Sequence, residues 1–242
     1  MTGPAAATTD ASTTDASTAQ APAADATTAA DATTAAAGTP EATGSTPRRQ
    51  ARGTRRHDAI VRAAADVILR DGPAALTHRT VAAEAGVPLA ATTYYFHGLD
   101  ELVAEAGAVL AAGWADHAAQ HVEVARAAVA DGIRPGTDGH RRRAELLTDA
   151  ILPVGDRTAT TGFYEHLVGA ARSTALAAAY ASGRAALDAA LAQMLDVLGL
   201  GLDEMLVVAV VDGAAVSALA EGRDVRAHAT DLLEQLLSAL DR

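Results

Sequence analysis

The sequence predicts an all-α protein in which a small three-helix head precedes a larger helical domain. Three observations carry that prediction. Beyond residue 47 every periodic stretch repeats its apolar residues at intervals of three and four, and none alternates as a strand would. These stretches are bounded by N-capping Thr and Asp residues and by Gly and Pro, at spacings that suit helices. Residues 1–47, by contrast, contain no aromatic, no arginine and no large aliphatic residue after Met1. Such a composition buries too little apolar area to offset the entropy of ordering, so it reads as a disordered tail.

The elements follow in order. RRQARG, residues 48–53, reads as a linker, and a first helix over 55–70 places Ile60, Ala64, Val67 and Ile68 on one face before Gly72 and Pro73 stop it. Residues 77–96 read THRTVAAEAGVPLAATTYYF. Thr77 suits an N-cap, Val81, Ala82 and Ala85 form an apolar face, and Gly86 can take the left-handed turn that ends a short helix. Val87 fills the corner, Pro88 suits a first helical position, and a second short helix carries Tyr94, Tyr95 and Phe96. That is a helix-turn-helix, whose second helix fits the major groove of DNA.

HGLDEL then opens a long helix over 99–131, with Asp100 and Glu101 complementing its N-terminal dipole. At 1.5 Å per residue it spans roughly 50 Å, enough to leave the head and enter a second domain. GIRPGTDG is a loop. Helices follow over 141–153 (stopped by Pro153), 160–181, 184–198, 203–219 and 225–240, with Gly183, Gly199 and Gly222 as boundaries. Domain limits of 1–47, 54–114 and 115–242 follow for tail, head and second domain.

Charge distribution matters more than total charge. The chain carries −11 overall, which alone opposes nucleic-acid binding. Residues 48–98, however, hold eight arginines against four acids, whereas the tail holds five acids and no base. The basic segment is the one that holds the helix-turn-helix, as phosphate contact requires. The absence of cysteine removes a disulfide framework and thiolate metal sites and suits a reducing cytoplasm. No apolar run is long enough for a membrane span. No glycine-rich phosphate loop follows a strand and no nucleophile elbow is present, so no enzyme and no cofactor are expected.

The motif, the preceding helix and the long following helix together resemble the TetR family of transcriptional regulators, specifically over 54–114 and by architecture beyond. The resemblance implies a recognition helix at 88–96 with added contacts from the helix before it. Carried over position by position, Arg55, Thr77, His78, Arg79, Leu89, Ala90, Ala91, Thr93, Tyr94 and Tyr95 would meet DNA, Arg79 by reading guanine and Tyr94 and Tyr95 by donating hydroxyls. Two positions depart from the family pattern: a usual tyrosine is Thr93, and a usual lysine is Leu99. Either loss weakens backbone contact, which the arginine-rich arm RRQARGTRR can offset.

In the second domain, Leu110, Trp114, His117, His121 and Val124 share one stripe of the long helix, and Phe163, His166, Leu167 and Thr174 form a comparable stripe later. The resemblance places a small-organic-effector pocket there; the plain alternative is core with histidines at its edge. His117 and His121, at i and i+4, lack a third metal ligand by spacing, so no metal is expected. Helices 203–219 and 225–240 are apolar over more than one subunit readily covers. Leu206, Val210, Gly213, Leu232, Leu236 and Leu240 are therefore candidate homodimer contacts, with Gly213 and Ala214 permitting close approach. The resulting expectation is a cytoplasmic, effector-responsive dimeric repressor on a palindromic operator in double-stranded DNA. The alternative of another class is a helical small-molecule-binding or scaffolding dimer with little DNA affinity.

Overall fold

The computed structural model describes residues 46–133 and 139–240. Residues 1–45 of the tail expected to be disordered and most of the GIRPGTDG loop lie outside the described residues, while Thr46 and Pro47, expected to belong to that tail, open α1. The described elements are α1 (Thr46–Asp71), α2 (His78–Glu84), α3 (Leu89–Tyr95), α4 (Leu99–Ala130), α5 (His140–Ile151), α6 (Arg157–Gly169), α7 (Thr174–Leu198), α8 (Glu204–Glu221) and α9 (Val225–Leu240), with 3-10 turns at Pro73–Ala75 and Ala170–Arg172. No strand occurs among the described residues. The all-α prediction holds.

α1 begins at Thr46, so the stretch read as a linker is helix. Arg, Gln and Ala are good helix formers, and the basic spacing of RRQARG contains no Pro to break the turn. Around α1 the head closes a core of Ile60, Ala64, Val67, Ile68, Val81 and Phe96, continued by Leu102, Leu110 and Leu176. A second core joins α4 through α9, with Leu147, Leu191, Leu195, Val211, Leu233 and Leu237 each at most 2% exposed. Each such side chain contributes roughly 1.5–3 kcal/mol on leaving water.

Three helix ends use one device. Gly86, Gly199 and Gly222 have φ of 63°, 68° and 72°. In each case the next residue's N–H reaches back five residues: Val87 to the Ala82 carbonyl, Leu200 to Leu195 and Arg223 to Ala218. A side chain at these φ values would be strained, which is why glycine marks the stops.

Gly183 breaks that pattern. It was expected to end a helix over 160–181, but α7 runs straight through it, and the break comes earlier, at Ser173, which caps α7 by accepting from the Leu176 N–H. Gly183 is instead a contact point. A Cβ there would meet Ala111 Cβ of α4 at 2.4 Å, and one on Gly107 of α4 would meet Ala179 Cβ and Leu176 of α7 at 2.8 Å. The two glycines let α4 and α7 cross closely.

Candidate functional site

The helix-turn-helix is built by local chemistry. Thr77 caps α2 by accepting from the Thr80 N–H at 3.0 Å, while its own N–H donates to Thr80 Oγ1 at 2.9 Å. The N–H of Val87 closes the turn on Ala82. Pro88 is the N-cap of α3 rather than its first residue, because its ψ of 143° is not helical. Phe96 leaves α3 in an extended conformation and plunges into the head core, 2% exposed, stacked at 4.9 Å on His57 of α1. Arg70 joins the end of α1 to α2 through Glu84 at 3.0 Å.

Of the residues expected at DNA, Arg55, Thr77, Arg79, Leu89, Ala90, Thr93 and Tyr94 are exposed, and Tyr94 most of all at 82%. His78, Ala91 and Tyr95 are half-buried. The Tyr95 ring meets the edge of His57 at 5.9 Å, so it also braces α3 on α1. Thr93 donates its hydroxyl to the Ala90 carbonyl at 3.3 Å. Leu99, at the first turn of α4, is 36% exposed.

The second domain holds a cavity of about 640 Å³. Its wall draws on Leu69 at the end of α1; Ala111, Trp114 and His117 of α4; Ala150 and Ile151 of α5 with Leu152, Pro153 and Val154 after it; and Ala159, Phe163 and Leu167 of α6. α7 adds Tyr180, Ala181, Gly183, Arg184, Leu187 and Leu191, and α8 adds Val208 and Asp212. Trp114 is the hub of its aromatic side, 4.7 Å from Tyr180 and 5.4 Å from Phe163 between ring centroids.

Trp114, His117, Phe163 and Leu167 therefore lie in the wall, and four other sequence candidates do not. Leu110 packs in the head-side core. His121 turns along its own helix, donating Nδ1–H to the His117 carbonyl at 2.9 Å. His166 is fully buried one layer behind, 5.9 Å from Trp114, donating Nδ1–H to the Gly162 carbonyl at 3.0 Å. Burial lowers the His166 pKa, partly opposed by that hydrogen bond. Thr174 belongs to α7, not α6, and is exposed there because the chain breaks at Ser173. Val124, on the same stripe, is 46% exposed. The i, i+3, i+4 rule fixes a helix face but not which part of it meets a void.

The sequence reading missed Leu69, Tyr180, Arg184 and Asp212. Asp212 left a signal: it is the one charged residue between Met205 and Ala220. Its Oδ1 accepts from the Tyr164 hydroxyl at 2.9 Å. Burial pushes the Asp212 pKa up, against the pull of Tyr164 and of the Arg184 charge, and burial beside Asp212 pushes the Tyr164 phenol up as well. His117 donates Nε2–H to the Asp149 carbonyl of α5 at 2.9 Å, tying two walls together. No cluster of three metal-ligating side chains occurs among the described residues.

On α8 and α9, Leu206, Gly213 and Leu240 are exposed, and Val210, Leu232 and Leu236 are half-buried at the margin of the core. Ala214 is 2% exposed inside its own subunit, so it does not face outward as expected. No helix among the described residues is long and apolar enough to cross a membrane.

Residues 138–239 match the family profile of the tetracyclin repressor-like C-terminal domain. The multidrug binding protein EbrR, in its structure with ethidium, is 32% identical over 75% of this chain and 98% of that chain, with a TM-score of 0.54. A TetR family member from Streptomyces coelicolor, SCO1917, is 33% identical over 75% and 97% of the two chains, with a TM-score of 0.50. A TetR-family regulator from Mesorhizobium loti shares the fold at 17% identity, covering 78% and 98%, with a TM-score of 0.56. No curated protein shows significant similarity to the chain.

Proposed function

The chain belongs to the TetR family of transcriptional regulators, and on that footing we propose that it is an effector-released repressor acting in the cytoplasm rather than an enzyme. The observation that carries the proposal is the position of Leu69. It sits near the end of α1, the helix on which the head packs, and it also lines the cavity. A molecule filling the cavity presses on the head directly, and a second route runs through α4, which holds Trp114 and begins beside α3. An effector with different affinities for two head arrangements shifts the balance between them.

The wall suits a small, largely apolar aromatic effector, held by Trp114, Phe163 and Tyr180. Structures of EbrR with ethidium, proflavin and malachite green support that class. DNA contact falls to the exposed Arg55, Arg79 and Tyr94, with Thr77, His78, Leu89, Ala90, Ala91, Thr93 and Tyr95 around them. Dimerisation falls to α8 and α9, where Met205, Leu206, Val216 and Leu240 are 45–62% exposed. Two heads then read a palindrome with half-sites about one helical turn apart.

Selection of bound fragments from a random-sequence DNA pool tests the reading. A palindromic consensus is the expected product. Enrichment of no sequence at low salt would favour a scaffold or ligand carrier instead.

A further inference from the structure

We propose that Asp212 is the specificity-determining residue of the cavity and that the effector carries a positive charge; this rests on the reading of the cavity as the effector site. Besides the Tyr180 phenol, three ionisable side chains among the described residues line the wall: His117, Arg184 and Asp212. Two are already committed. The His117 Nε2–H is held by the Asp149 carbonyl, and the Arg184 guanidinium is paired along its own helix with Asp188. Asp212 has no ion pair among the described residues, and its hydrogen-bond donor is the neutral Tyr164 hydroxyl.

When Asp212 is ionised, the side of α8 therefore carries an excess negative charge, since the nearby Arg184 is matched by Asp188, while Trp114, Tyr180 and Phe163 present ring surfaces in the same enclosure. A cation gains from both: the carboxylate compensates its charge, and ring faces attract it. A neutral aromatic of the same shape gains only the apolar contact. An anion meets a carboxylate that has little water to screen it.

The same arrangement couples binding to protons. Tyr164 of α6 bonds Asp212 and the Arg184 charge of α7 acts on it; Tyr180 of α7 and His117 of α4 are the other titratable groups of the same wall, and Arg184 is itself paired with Asp188. Burial raises the Asp212 pKa, so lowering the pH adds a proton to the carboxylate before it would in water. A cation binds the ionised form and must displace that proton. Cation affinity is then constant above the Asp212 pKa and falls by roughly tenfold per pH unit below it.

The chain's one tryptophan, Trp114, reports occupancy by fluorescence. The full chain is titrated with ethidium, a permanent cation, and with phenanthridine, its neutral parent ring at neutral pH, in the native protein and in Asp212→Asn. The amide keeps an oxygen for the Tyr164 hydroxyl, and phenanthridine binding shows that the cavity is intact. The expected result is ethidium binding weakened about tenfold or more, with its pH dependence gone and phenanthridine binding unchanged. In Tyr164→Phe, which removes a hydrogen bond that lowers the Asp212 pKa, cation preference should persist and the pH midpoint should rise. Equal effects of Asp212→Asn on both ligands, or none on either, overturn the charge assignment and leave the effector cavity standing. If neither ligand quenches Trp114 in the native protein, the cavity reading falls, and this inference with it.

Discussion

Gly183 of α7 lies flush against Ala111 of α4: a Cβ on Gly183 would come within 2.4 Å of the Ala111 Cβ. Both residues line the cavity, so this contact between α4 and α7 also bears on its width. Gly183→Ala is predicted to force the helices apart and to cost about 1–3 kcal/mol, as overpacked cores do. Gly113→Ala is the control, because a Cβ there meets nothing within 4 Å. It should stabilise α4 by about 0.5–1 kcal/mol, the ordinary gain of Ala over Gly in a helix. Denaturant unfolding of the two variants distinguishes them.

Arg79 and Tyr94 should affect DNA binding differently. Both side chains are exposed, so neither change disturbs the head core. Arg79→Ala is predicted to cost on the order of 1–3 kcal/mol and to relax preference at one position per half-site. Tyr94→Phe should weaken binding evenly across sequences if the hydroxyl meets phosphate. Gel-shift titrations over a series of mutated operators separate the outcomes; unchanged preference in the Arg79 variant rejects base reading there.

Leu206 tests the dimer more cleanly than Leu236. Leu236 packs against the core of its own subunit, so an arginine there also disturbs folding, whereas Leu206 is 45% exposed. Leu206→Arg is predicted to give folded monomers with weak operator binding, since two linked heads hold a palindrome far better than one. Sedimentation velocity with circular dichroism checks this. A stable Leu206→Arg dimer would move the interface elsewhere.

His166 gives stability a pH dependence. It is fully buried, its Nδ1–H is held by Gly162, and its buried Nε2 has no hydrogen-bond partner among the described residues. Burial lowers its pKa from the ordinary 6.5, so the unfolded chain takes up the proton first. Folding free energy should therefore fall as pH drops below 6.5, by up to about 1.4 kcal/mol per unit, until the folded protein also protonates. His166→Gln should flatten that slope in urea melts at stepped pH, and an unchanged slope would show that another group titrates.

Much of this fold is legible in the sequence because local chemistry decides it. Thr77, Gly86, Gly199 and Gly222 mark helix ends by capping and by left-handed φ, and Ile60, Ala64, Val67 and Ile68 state their buried face by spacing alone. Gly183 shows the limit. A glycine between two apolar stretches reads as a stop, and only the crossing of α7 on α4 reveals that its missing Cβ makes room for Ala111. Asp212 shows another. Its isolation in an apolar helix signals that something compensates it, but Tyr164 and Arg184 come from helices that only tertiary packing brings near. The cavity is assembled from six helices, so a stripe on one of them, such as Trp114 to His121, names part of the wall and continues past it.

The central claim is that filling the cavity releases DNA. A labelled palindrome from the selected pool, bound by the full chain, is titrated with an aromatic cavity ligand that leaves the anisotropy of the free palindrome unchanged, while Trp114 quenching and DNA anisotropy are recorded together. Anisotropy is expected to fall in step with quenching and to saturate with it. Full quenching of Trp114 with the DNA still bound would contradict it.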